Sequence, residues 1–168
     1  MHKLDNLGKL RNMTSLYLLC GDQMLLLYRQ GSKVVNNLWI GSAGGHFEEN
    51  ELNDACACVL RELAEELSVT PDMIENLRLR YITLRNTGEE IRQNYYFFAD
   101  LKAADNIDLQ SNEGTLKWFP LEEVNKLEMP FTAQYVVKHY VEQGRYTDIL
   151  YAGIATDGNV VFTELSAK

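Results

Sequence analysis

Gly44-Gly45-His46-Phe47-Glu48-Glu49-Asn50-Glu51-Leu52-Asn53-Asp54-Ala55-Cys56-Ala57-Cys58-Val59-Leu60-Arg61-Glu62-Leu63-Ala64-Glu65-Glu66-Leu67 is the stretch on which the reading of this chain turns. A glycine pair comes first, where the backbone can turn sharply or approach a ligand. Asn53 is a plausible N-cap for a helix that runs to Leu67. At about 100° per residue, Cys56, Val59, Leu60, Leu63 and Leu67 share one apolar stripe. Arg61, Glu62, Glu65 and Glu66 lie on the other side. Glu62 is i,i+3 to Glu65 and i,i+4 to Glu66, which predicts three carboxylates on one patch with Cβ atoms about 5–6 Å apart.

Like charges so placed repel, and a helix C-terminus disfavours anions. Arg61 can pair with Glu65 at i,i+4. A hard divalent cation compensates better, and Mg²⁺ favours oxygen ligands while keeping positions for water and phosphate. Taken alone, an E-x-x-E-E cluster reads as a solvated helix face. The glycines and glutamates upstream alter that balance, because a turn there can carry a glycine carbonyl and Glu48 or Glu51 to the same patch.

Outward from this segment, Thr14–Cys20 and Gln23–Gln30 read as a hairpin about Gly21-Asp22. Met1–Met13 reads as a loose lead-in, Gly31–Leu38 as a loop, and Leu38–Ala43 as a short buried strand. Leu77–Arg85 and Ile91–Leu101 form a second predicted hairpin, and Thr115–Phe119 a further strand. Leu121–Leu127 suggests one or two helical turns, and Phe131–Gln143 an amphipathic helix ending at Gly144. A last hairpin spans Arg145–Ala155 and Asn159–Glu164. Strands outnumber helices and are hairpin-linked, so the class is mixed α/β without a doubly wound repeat. No repeat or linker interrupts residues 1–168, which predicts one domain.

The charge of −8 argues against a nucleic-acid polymer or an anionic membrane as partner. It suits an anionic small molecule caught locally through a cation. Cys20, Cys56 and Cys58 form no disulfide framework, and scattered His2, His46 and His139 give no zinc spacing. No apolar run has the length of a membrane span, so a cytoplasmic protein is expected, as monomer or homodimer.

The quoted stretch resembles the Nudix box, G-x5-E-x7-R-E-U-x-E-E-x-G-U with U bulky and aliphatic. Gly45 and Glu51 match its start; Arg61-Glu62-Leu63, Glu65-Glu66 and Val69 match its distal half. Nine residues, 52 to 60, separate Glu51 from Arg61 where the pattern has seven, and Ser68 stands in place of the glycine. The insertion leaves the role of Glu51 open. The order of elements over about residues 14–143 is similar to the family's α/β/α sandwich with a mixed central sheet.

The resemblance implies a Mg²⁺-dependent hydrolase, with Mn²⁺ able to substitute. It implies metal ligands at Glu62, Glu65 and Glu66, with a carbonyl from Gly44 or Gly45. Arg61 would orient a glutamate, and Glu62 or Glu65 would serve as base. Glu113 is either a further ligand or a turn carboxylate. Arg29-Gln30-Gly31 and Leu38-Trp39-Ile40-Gly41 resemble the MutT-type branch, which cleaves oxidised purine triphosphates such as 8-oxo-dGTP to monophosphate and pyrophosphate. Other diphosphates, such as ADP-ribose or a nucleotide sugar, are the alternative, and a non-catalytic nucleotide sensor is a further one. For substrate contacts the candidates are Arg29, Trp39, Glu48, Trp118 and Phe131, with Tyr28 and Lys33 as weaker ones; core packing competes for each aromatic.

Overall fold

The computed structural model describes residues 8–31, 36–102 and 108–168. Its strands are β1 (Leu10–Cys20), β2 (Gln23–Arg29), β3 (Leu38–Ile40), β4 (Ile74–Asn86), β5 (Ile91–Leu101), β6 (Gly114–Pro120), β7 (Leu150–Thr156) and β8 (Asn159–Leu165). Helices α1 (Ala55–Leu67) and α2 (Phe131–Glu142) complete the regular structure. All eight strands belong to one mixed sheet in the order β3-β2-β1-β5-β4-β7-β8, with β6 also paired to β2.

Alternation along the central strands sends side chains to two cores. Leu16, Leu18, Leu25, Phe97, Ala99 and Leu101 pack with Val59, Leu63 and Leu67 of α1. Tyr17, Leu19, Met24, Leu26, Tyr96 and Phe98 pack with Ala133, Val136, Val137 and Tyr140 of α2. A sheet covered on both faces needs apolar residues at successive positions, which accounts for the unbroken run Leu16–Leu19. The result is the expected α/β/α sandwich. The C-terminal hairpin extends the same sheet, with β7 lying parallel to β4. Buried Arg80 fastens the approach to it, donating to the carbonyls of Gly144 and Thr147 at 2.6 Å and of Ile149 at 3.3 Å. Among the described residues no helix is long and apolar enough to cross a membrane.

Several boundaries differ from those expected. β1 begins at Leu10, because it pairs in parallel with β5 from Leu10↔Ile91 onward; its polar start hid the strand. Residues 1–7 of the expected lead-in, and Lys33, lie outside the described residues. The helix N-cap is Asp54, whose carboxylate accepts from the Ala57 amide at 2.9 Å, and not Asn53. Cys56 is exposed while Cys58 is buried, so the stripe on α1 is centred on Cys58, Val59, Leu63 and Leu67. Leu121–Leu127 contains a 3₁₀ turn at Val124–Lys126 in place of α-helix. Residues Gly144–Tyr146 form another such turn, so the last hairpin starts at Leu150. Gly144 is required by packing, since a Cβ there would meet the Tyr81 hydroxyl.

One irregularity of the sheet prepares the site. β2 gives one edge to β6 along its whole length. Its other edge meets β1 only over Met24↔Leu19 and its two neighbours, then β3 over Leu27↔Ile40 to Arg29↔Leu38. Between these contacts β1 and β2 part. The segment after β3 fills beside β1: the Leu16 amide donates to Ala43 at 2.7 Å, and the Thr14 amide to Gly45 at 2.8 Å.

α1 ends on Ser68, whose φ of 54° is left-handed and whose amide donates to the Ala64 carbonyl at 3.0 Å. A residue with a Cβ bears a conformational cost there that glycine avoids. Ser68→Gly is expected to stabilise the fold by about 0.5–1 kcal/mol, after the greater chain entropy of glycine is deducted. Urea unfolding measures it; a lowered midpoint would mean that the serine hydroxyl contributes more than the strain.

Candidate active site

Arg61 organises the turn-and-helix unit. Its Nε donates to Glu51 Oε1 at 2.5 Å and its Nη2 to Glu51 Oε2 at 3.0 Å, a two-pronged pair. Nη2 also donates to the His46 carbonyl at 3.0 Å. Nη1 holds Glu62 Oε1 at 2.9 Å and Glu65 Oε2 at 3.0 Å. Glu51 is 3% exposed. The hydrogen bonds from Arg61 hold its pKa down at about 2, aided by the Glu48 amide and against the effect of burial. The spacing departure is thereby explained. Glu51 closes the 3₁₀ turn Glu49–Glu51, and the extra residues form a turn in which Leu52 is exposed. The insertion bulges outward and leaves Glu51 paired to Arg61.

The two glycines are needed for different contacts. Gly44 has φ of 150°, and a Cβ there would strike the Thr14 carbonyl of β1. A Cβ at Gly45 would occupy the place of the Glu62 carboxylate. The Gly44 amide donates to Glu66 Oε2 at 3.0 Å. The Glu66 pKa is pushed up to about 7, first by burial and then by the charges of Glu113 and Glu62, against the Gly44 hydrogen bond. Burial also raises the Glu62 pKa, which Arg61 partly offsets. Glu113, one residue before β6, lies 3.8 Å from Arg29 Nη2.

A cavity of ≈190 Å³ opens beside Glu66. Gly44, Glu66, Glu113 and Arg29 line one part of it; Ser15, Thr83, Asn94 and Tyr96 supply a floor, and Pro130 and Thr132 of the α2 entry a wall. Its width comes from the separation of β1 and β2.

The structure thus gathers Gly44, Gly45, Arg61, Glu62, Glu65, Glu66, Glu113 and Arg29. Other candidates stand apart. Trp39 packs on Tyr28 and edge-on to Phe119, with centroids at 4.9 and 4.7 Å. Trp118 packs toward the core beneath α1. Phe131 lies under the Arg85 guanidinium, 5.0 Å from its ring centre, in a separate hollow with Asp157 and Gly158. None of these three aromatics lines the cavity, because each sits on a neighbouring part of the sheet edge or helix start. Glu48 is exposed, 3.7 Å from Arg61 Nε, and caps the 3₁₀ turn. Reading the sequence left the role of Glu51 open and missed the polar floor; the floor's signal was polar residues at alternate positions of β5, among the aromatics.

Among the described residues, no three Asp, Glu, His or Cys side chains already converge as a metal cage. Glu62 and Glu65 are turned to Arg61. The donors nevertheless suit a hard cation in kind and charge. They are all oxygen, and Glu66 is a half-buried carboxylate crowded by two others, with a pKa that a nearby cation would lower.

Comparison with known proteins gives the following. The NUDIX domain profile matches residues 10–140. No curated protein sequence is similar enough to match. Among solved structures, the mutator MutT protein from Bacillus halodurans is similar with 23% identity and a TM-score of 0.67, over 92% of this chain and 97% of that one. A NUDIX hydrolase from Nitrosomonas europaea has 17% identity and a TM-score of 0.68, over 88% and 80%. The C. elegans Ap4A hydrolase has 20% identity and a TM-score of 0.58, over 82% and 96%.

A pH test follows for the Glu51–Arg61 pair. The folded-state pKa of Glu51 is depressed from 4.5 to about 2. Its contribution to stability is therefore complete above the unfolded value and is lost as pH falls through the folded one. Unfolding free energies measured from pH 5 to pH 2 should drop for the wild type. Glu51→Gln should start lower and fall less steeply; equal slopes would refute the pairing.

Proposed function

The chain belongs to the Nudix hydrolase family, and on that premise we propose that it cleaves a phosphoanhydride bond in a nucleotide with the help of Mg²⁺, for which Mn²⁺ can substitute. The substrate we favour is a nucleoside triphosphate, released as monophosphate and pyrophosphate. The observation that carries this reading is Glu66: a half-buried carboxylate, bonded to the Gly44 amide and crowded by Glu62 and Glu113, at the edge of a cavity with a polar floor.

Glu62, Glu66 and Glu113, with Glu65 nearby, would hold the cation. The Gly44 carbonyl is the better backbone donor of the pair, since Gly45 already accepts from Thr14. A bound Mg²⁺ would supply charge neutralisation at the phosphates and a more acidic water. The protein's own part is positioning. Arg61 fixes the carboxylates of Glu62 and Glu65 by charged hydrogen bonds, and one of these two removes the proton of the attacking water. Arg29, beside Glu113, offers a cation to the phosphate chain. Binding of the nucleoside in the cavity brings the anhydride to the carboxylates, and such placement supplies much of the catalysis in phosphoryl transfer. Solved structures similar to this chain include a mutator MutT protein and an Ap4A hydrolase, and both are compatible with a nucleotide polyphosphate here.

Incubation with Mg²⁺ and a panel of nucleoside triphosphates, 8-oxo-dGTP, dinucleoside polyphosphates and ADP-ribose should yield nucleotide monophosphate from at least one. EDTA should abolish the reaction and Mg²⁺ or Mn²⁺ restore it. Glu66→Gln should lower turnover at least about a hundredfold, the scale of losing a charge-stabilising group, with the unfolding midpoint retained. Near-normal turnover in that variant, or activity indifferent to EDTA, would overturn the assignment.

A further inference from the structure

Register across the centre of the sheet aligns three arginines. Arg11 of β1 pairs with Arg92 of β5, and Arg92 pairs with Arg85 of β4. Directly paired residues point to the same side of a sheet. This side is also that of Ser15, Tyr96 and Tyr81, four positions along each strand. The row therefore stands on the α2 face, beyond Met13, Asn94 and Thr83, which line the cavity floor; Arg85 and Arg92 line the same cavity.

Like charges directly opposite on neighbouring strands are destabilising. Here three lie side by side in a chain of net charge −8. Their compensation is thin. Glu90 Oε1 alone meets two of them, accepting from Arg11 Nη1 at 3.3 Å and Arg92 Nε at 3.0 Å. Arg85 forms no ion pair among the described residues; its guanidinium covers the Phe131 ring. His46 adds no counter-charge: burial and Arg11 hold its pKa down, and its ring accepts from Arg11 Nε at 2.5 Å. One carboxylate for three guanidiniums leaves positive charge in excess beside the cavity, which Arg85 and Arg92 line.

We propose that Arg85 and Arg92, supported by Arg11, form a second anion subsite that receives a phosphate monoester on the part of the substrate remote from the anhydride. This rests on the reading of the site given above and specifies its substrate class. Glu66 meets Gly44 beside Thr14, whereas the arginine row lies level with residue 11. The difference is three residues, or about 10 Å along the strands, which leaves space for the sugar of a nucleotide. Planar guanidiniums in a partly desolvated cleft suit a phosphate dianion. The preferred substrate is then a nucleotide that carries an additional phosphate on its sugar.

Binding in EDTA tests this apart from catalysis. By calorimetry, the metal-free protein should bind adenosine 3′,5′-bisphosphate at least about tenfold more tightly than adenosine 5′-monophosphate. In R92Q and R85Q that ratio should fall towards one. E90Q, which removes the competing carboxylate, should raise it, an outcome that a merely structural role for the row does not produce. A wild-type ratio near one, no binding of the bisphosphate, or a ratio unmoved in both arginine variants overturns the subsite. Such results leave the hydrolase reading untouched, which fails on its own tests: no product from the nucleotide panel, activity indifferent to EDTA, or near-normal turnover in Glu66→Gln.

Discussion

The arrangement depends on a single guanidinium placed between two sets of carboxylates. Arg61 meets Glu51 with two donors, the His46 carbonyl with one, and Glu62 and Glu65 with the remaining amino group. A carboxylate as buried as Glu51 would be strongly unfavourable alone. The fork of Arg61 satisfies both its oxygens and, in doing so, ties the loop after Gly45 to the middle of α1. Lysine could not do the same, since it lacks a planar set of five donors. Once loop and helix are joined, Gly44 and Gly45 are confined between β1 and the last turns of α1. Glu66 then finds a backbone amide, and Glu62 finds space where a side chain would have been.

The second constraint lies in the sheet. β2 is completely paired with β6 but shares its other edge between β1 and β3. The parted strands admit the glycine segment from one side and open a cavity on the other. This is how a carboxylate from the helix on one face comes to line a cavity floored by side chains of the opposite face. Helix and cavity are functionally connected only because the sheet is interrupted between them.

Much of this was legible in the sequence, for identifiable reasons. The apolar period of α1, the aromatic run Tyr95–Phe98 and the Gly-Asp turns each follow from local preference, and they placed most elements within a few residues. The glycine pair and the distal glutamates were legible because their spacing is local to one turn and one helix. What escaped depends on register. The polar start of β1 becomes strand only through β5, which is far away in sequence. Glu51 seemed displaced by two residues until the outward turn at Leu52 brought it back to Arg61. Trp39 and Trp118 have the chemistry of a base-stacking residue, but an aromatic on a sheet packs wherever its strand neighbours direct it, and here that is the core. The alignment of Arg11, Arg92 and Arg85 cannot be read from any one strand, because it is a property of three strands in parallel and antiparallel register.

Charge then takes on a meaning that the total of −8 concealed. The cavity is bipolar, with Glu66 and Glu113 in one part and Arg85 and Arg92 in another. Each pole is unfavourable by itself, since neighbouring like charges raise the energy of the folded state in the absence of a ligand. Neither can relax by pairing with the other, because the Met13, Asn94 and Thr83 row stands between them. Arg29 beside Glu113 and Glu90 beside Arg11 and Arg92 offset this repulsion in part; mobile ions of the matching sign, a cation at the carboxylates and anionic groups at the guanidiniums, relieve the rest. A nucleotide that brings phosphate to both poles, with Mg²⁺ at the first, relieves both at once. The fold's electrostatics therefore favour a ligand charged at two places over one charged at a single end, which a cavity neutral along its length could not do.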